Sequence, residues 1–104
     1  MRAFVDLSGA SGATYRFRLA PDGQVTTPMA GNYACLRQEP GGFTVVSVAA
    51  TNDLSSATTD WKRVQAKQGA THLYIRLNVS AAIRETEQRD IAAHYRLRAG
   101  RRTA

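Results

Sequence analysis

The chain has 104 residues, 43% hydrophobic and 21% charged, with a formal net charge of +6 and an isoelectric point near 10.3. That length holds one domain with one modest core, and the balance of apolar and charged residues excludes a chain disordered throughout. A single cysteine, Cys35, excludes an internal disulfide and suits a reducing cytosol; with no apolar leader after Met1 and no run near the ~18 residues of a membrane span, a cytoplasmic protein without a membrane partner is expected.

"AFVDL" and "ATYRFRLA" flank "SGASG", whose Gly9 and Gly12 supply the backbone freedom of a reversal, so residues 1–20 read as an N-terminal β-hairpin. In its second arm Tyr15, Phe17 and Leu19 alternate with Thr14, Arg16 and Arg18, giving one buried face and one basic, wet face. "APDGQVTTPMAG" follows as a turn and an extended loop. "NYACLR" and "FTVVSVA" are strand-like and joined by "QEPGG", which predicts an antiparallel pair. "TNDLSSATTDWKRVQAKQG" predicts a helix capped by Asn52 or Asp53, with Leu54, Ala57, Trp61 and Val64 as its apolar stripe.

"THLYIRLNV" alternates again. It places Thr71, Leu73, Ile75 and Leu77 on one face and His72, Tyr74, Arg76 and Asn78 on the other, as the third strand of the main sheet. The closing helix, capped by Asn78 or Ser80, carries Val79, Ile83, Glu87, Ile91 and Tyr95 at spacings of four. Glu87 interrupts an otherwise apolar stripe, and a carboxylate there costs energy unless it reaches water, a donor or a cation. Beyond it, "YRLRAGRR" concentrates Arg96, Arg98, Arg101 and Arg102 without an acid. Residues 96–104 read as a basic, flexible tail, either a solubilising end or an arm that contacts phosphates.

The element order, together with Gly31-Asn32-Tyr33 in the third strand and "SVAATNDL" in the fourth, resembles the GIY-YIG superfamily, in particular its small bacterial GIY-YIG-like proteins. The resemblance covers residues 31–95. It implies an α+β fold: a small central antiparallel β-sheet flanked by helices, to which the hairpin is an addition within one domain. In the family's nucleases one divalent ion is held by a helical glutamate, tyrosines assist proton transfer and an arginine neutralises phosphate charge. Tyr33 and Glu87 match the first tyrosine and the glutamate, and the resemblance implies that they lie near each other. Ser47 replaces the second tyrosine, Ala49 the glycine of its motif and Ala57 the helical arginine. Loss of a positioned acid/base group typically costs ~10²–10⁴-fold, so no catalytic residue is expected and Tyr33, Ser47 and Glu87 form a vestigial site. Arg84 or Arg89 would have to supply the missing cation.

Other chemistries fit less well. Cys35, His72 and His94 lack paired ligand spacing, so Cys35 reads as a small buried strand residue. There is no G-x-S-x-G elbow and no Gly-Lys-Ser/Thr ending to the glycine-rich turn. Tyr74, between His72 and Arg76 on one strand face, would suit base stacking if open, but a covering helix is the favoured expectation. Three functions remain, in order. The first is a noncatalytic module that binds DNA or RNA through Arg84, Arg89, Arg96, Arg98, Arg101 and Arg102, without a small-molecule cofactor. The second is a residual endonuclease using Tyr33 and Glu87 with magnesium or manganese on Glu87, and the third is a protein interaction module.

Overall fold

The structure is a computed structural model and describes residues 2–97. Strand β1 (Phe4–Ser8) and β2 (Thr14–Ala20) form the hairpin, and β3 (Gly31–Glu39) and β4 (Gly42–Thr51) form a second antiparallel pair. Helix α1 (Ala57–Gln68), strand β5 (His72–Leu77) and helix α2 (Ala81–His94) complete the order. The five strands make one sheet in the order β1-β2-β5-β3-β4, every neighbour antiparallel. The α+β class agrees with the sequence. The hairpin is more than an appendage: β2 pairs with β5, from Arg18 opposite Ile75 to Ala20 opposite Leu73, so it extends the main sheet.

The alternation along each strand splits the core into two layers. On one face Tyr33, Cys35, Leu73 and Ile75 pack against Ala57, Trp61 and Val64 of α1. On the other, Val5, Leu7, Phe17, Leu36 and Tyr74 pack against Ile91 and Ala92 of α2. A bulge in the β3–β4 pair sets Cys35 opposite Ser47 but Leu36 opposite Val45, leaving Val46 as the extra residue. Val45 therefore joins the α2 layer while Val46 packs toward the α1 layer, as an inserted strand residue requires.

The helix ends follow from their caps. Asp53 accepts from the Ser55 amide at 2.9 Å and starts a short 3-10 turn, Leu54–Ser56, that leads into α1. Ser80 accepts from the Ile83 amide and starts α2. At the other end of α2, Arg96 takes φ 59, its amide reaches the Ala93 carbonyl and the Leu97 amide reaches that of Ala92. This is the paired closure of a left-handed helix cap, and Leu97 packs back on the α2 layer. The folded body thus runs two residues past Tyr95, the end read from sequence.

The α2 stripe is only partly buried. Ile91 is fully buried, whereas Val79 and Ile83 are 71% and 52% exposed, because polar side chains rather than apolar ones tie the first turns of α2 to the sheet. Tyr74 is fully buried, and its hydroxyl donates to the Arg2 carbonyl at 2.5 Å, so that strand face is covered. No helix among the described residues is long and apolar enough to cross a membrane.

Candidate functional site

Gly31, Asn32 and Tyr33 begin β3, the strand between β4 and β5, and each has a distinct local task. A Cβ at Gly31 would lie 2.2 Å from the Arg76 carbonyl oxygen, so only glycine lets β3 and β5 approach here. Asn32 is fully buried and points toward α2, where its amide nitrogen donates to the Arg84 carbonyl at 2.9 Å and to the Ala49 carbonyl at 3.3 Å. Tyr33 points the opposite way, into the α1 layer, and its hydroxyl donates to Asp60 at 2.6 Å. The other Asp60 oxygen is held by Arg63, one turn further along α1. This hydrogen bond from β3 to the first turn of α1 lets Tyr33 anchor the helix to the strand.

Glu87 lies on the other side of the sheet. It accepts from Arg76 Nε at 2.9 Å and from the Asn78 side chain at 2.9 Å, and that Asn78 amide also reaches Asn32 Oδ1 at 3.0 Å. Arg76 alternates with Ile75 and so faces the α2 layer, where its guanidinium lies 5.5 Å from the centre of the Tyr15 ring. The expectation that Glu87 and Tyr33 lie near each other is therefore corrected: the sheet separates them. The reason is the period of two along β3 and β5, which sends Tyr33 and Arg76 to opposite faces. The cation and the donor that a carboxylate in this stripe requires are Arg76 and Asn78.

Ser47 faces Cys35 across the β3–β4 pair, in the α1 layer with Tyr33. Its hydroxyl oxygen is buried and has no hydrogen-bond partner among the described residues. Burial pushes the Cys35 thiol up to about 11; Ser47 beside it offsets a little of that shift without the geometry of a hydrogen bond. Ala57 is fully buried among Tyr33, Trp61 and Val64, so the position where the resemblance would call for an arginine is a core position.

The basic candidates divide. Arg84 donates to the Asn78 and Val79 carbonyls, bracing the β5–α2 loop, and Arg89 forms an exposed pair with Glu85. Arg96 is exposed at the α2 cap. Arg98, Arg101 and Arg102 lie outside the described residues. A cleft of about 530 Å³ opens between the Pro21–Gly23 turn, α1 and the start of β5, walled in part by Trp61, Lys62, Gln65 and His72. None of the described site residues expected from sequence lines it. Burial holds His72 below the usual imidazole range. No group of three or more His, Cys, Asp or Glu side chains that would hold a metal occurs among the described residues.

Sequence reasoning passed over Asp60, itself held by Arg63, as a partner of Tyr33, and Arg76 and Asn78 as partners of Glu87, with Asn32 bonded to Asn78. Two signals were present: an i, i+3 acid–base pair on α1, and a polar Asn inside an apolar strand, which must find partners when buried. Compared with protein-family models, with curated proteins and with solved structures, the chain matches none.

Proposed function

We propose that the chain is a noncatalytic nucleic-acid-binding module on a frame similar to that of GIY-YIG domains. The observation that carries this reading is how the charges are paired. Of the eight acids, Asp6, Glu39, Asp60, Glu85 and Glu87 form ion pairs with arginine. Asp53 caps the 3-10 turn that leads into α1, and Asp90 takes hydrogen bonds from the hairpin turn. These anions are thus engaged locally, while Arg2, Arg18, Lys62 and Lys67 form no ion pair among the described residues and are exposed. A surface left with free cations attracts a polyanion. Tyr33 and Glu87, each committed to a structural partner on its own face of the sheet, favour binding over cleavage. No metal or cofactor is needed for this role.

An interaction module with no nucleic-acid role is the second reading, favoured by Val79 and Ile83, which are 71% and 52% exposed at i, i+4 spacing. The test is binding of fluorescent single- and double-stranded DNA and RNA across a salt series, with and without magnesium. The expected result is affinity that falls linearly with log salt, does not depend on magnesium, and comes with no cleavage by magnesium or manganese above background. Cleavage that disappears in Glu87→Ala would restore the nuclease. Absence of binding at low salt would put the interaction module first.

A further inference from the structure

The two faces of the hairpin are treated differently by the rest of the molecule. Toward α2, Val5, Leu7 and Phe17 are buried in the core. Toward α1, the core takes Ala20 alone from the hairpin, and α1 packs over β3 and β5 instead. The α1-side face of β1 and β2 is therefore open sheet. It carries Phe4 and Asp6 from β1 and Arg16 and Arg18 from β2, with Phe4 opposite Arg18 and Asp6 opposite Arg16. Leu77 of β5 continues that face, two residues beyond Ile75, which pairs with Arg18. Phe4 and Leu77 are each 50% exposed.

The side chains on this face are held in place. Arg16 Nε donates to Asp6 at 3.1 Å, and the guanidinium lies 5.7 Å from the centre of the Phe4 ring. Among the described residues that ion pair engages only Nε, so both terminal amino groups of Arg16 are open to a further acceptor. Arg18, beside Phe4 across the strand pair, is exposed and has no acidic partner among the described residues. An outward aromatic with one exposed arginine opposite it in the strand register and a second guanidinium ordered against its ring offers two kinds of contact. The ring stacks on a base, which works for every base because each has a π face, and the guanidinium groups meet the phosphates on either side. A duplex keeps its bases stacked on each other and has none to offer to Phe4.

We infer that the open face of the hairpin, centred on Phe4, Arg16 and Arg18, is a docking platform for single-stranded nucleic acid. The inference rests on the nucleic-acid reading and adds to it the strand state of the partner and the place where it binds. Charge complementarity selects the occupant: Arg16 and Arg18 outnumber Asp6, the one acid on this face of the hairpin.

The test uses the full chain and a fluorescein-labelled oligothymidylate, with a duplex of the same length as comparison. Phe4→Ala should weaken single-strand binding about 10-fold, the effect of losing one stacked base, and leave duplex binding unchanged. Its salt slope should stay the same, because stacking releases no counterions. Phe4→Trp should restore affinity, with emission from the new indole quenched by the oligonucleotide. Arg18→Gln should lower the salt slope by about 0.7, one single-strand phosphate contact. Thermal unfolding of each variant should match the parent, since these side chains are exposed. Wild-type binding that Phe4→Ala leaves intact would overturn the platform while the nucleic-acid reading stands. Equal losses on single strand and duplex would overturn it too, and absence of binding by the parent chain would overturn both.

Discussion

The carboxylate of Glu87, with 14% of its side chain exposed, sits between the Arg76 guanidinium and the Asn78 amide. Removing the charge but not the shape, as in Glu87→Gln, leaves Arg76, 29% exposed, without its anion. The expected cost is about 1–3 kcal/mol, read as a lower urea midpoint at unchanged slope. A carboxylate held for a metal would give the opposite sign, since deleting an uncompensated charge relieves the apo protein. Ser47 is the converse case. Its buried hydroxyl lacks a partner, so Ser47→Ala should stabilise the fold by about 1 kcal/mol, where an Ala replacement of a bonded serine would destabilise it. An unchanged or lower midpoint would show that the hydroxyl finds a partner in the folded chain. Part of this was legible before the fold was known: a glutamate in an apolar stripe needs a cation and a donor. Which ones it finds was not, because Arg76 and Asn78 reach Glu87 only once β5 lies beneath α2.

Among the elements, β2 and β5 could be read from their alternation, β3 and β4 as strand-like runs around a Pro-Gly-Gly break, and α1 from its stripe, because those signals are local; Asp53, read as the cap of that helix, caps the 3-10 turn before it. The bulge at Cys35 and the closure at Arg96 were not legible, since each depends on how the chain meets a neighbour. Arg96 holds a left-handed conformation that costs a non-glycine residue about 1 kcal/mol. Arg96→Gly should raise thermal stability by about that amount, and under the phosphate-contact reading it should also weaken nucleic-acid binding. The hairpin turn and α2 are joined at Asp90, which accepts from the Ser11 hydroxyl at 2.6 Å, the Ser11 amide at 2.9 Å and the Tyr15 hydroxyl at 2.7 Å. These bonds, Ser11's first and Tyr15's next, hold the Asp90 carboxyl below the ordinary 3.8. The unfolded chain then takes up this proton more readily than the folded one. The stability it supplies is complete above pH 3.8 and is lost as pH falls through the lower folded value. Asp90→Asn should be less stable near neutral pH and should show a shallower fall in stability below pH 3.8, measured by urea unfolding across that range.

For the molecule as a whole, the formal charge of +6 is divided between the described residues and the arginine-rich end of the sequence. Composition showed the surplus but not its distribution: five of the eight acids pair with arginines, three of them with one two to four residues away, and two, Asp6 and Glu87, with arginines that only the fold brings to them. Leu97, the last described residue, packs its side chain on the α2 layer, so a clean test of the tail cuts after Leu97; a cut after Tyr95 would damage the core as well. That truncation removes Arg98, Arg101 and Arg102. If these arginines neutralise phosphates, the slope of log affinity against log salt should fall by about 0.7–0.9 for each phosphate no longer neutralised, for every sequence alike, while the thermal midpoint stays put. If they only keep the chain in solution, the slope should not move and the truncated protein should precipitate at lower concentration. The hairpin platform makes a different demand on the same titration. Loss of the tail should weaken single strand and duplex together, whereas loss of the Phe4 ring should weaken the single strand alone. A truncated protein with an unchanged slope but no remaining preference for single strands would contradict both assignments at once, because the tail would then carry the selectivity that the Phe4 face is inferred to provide.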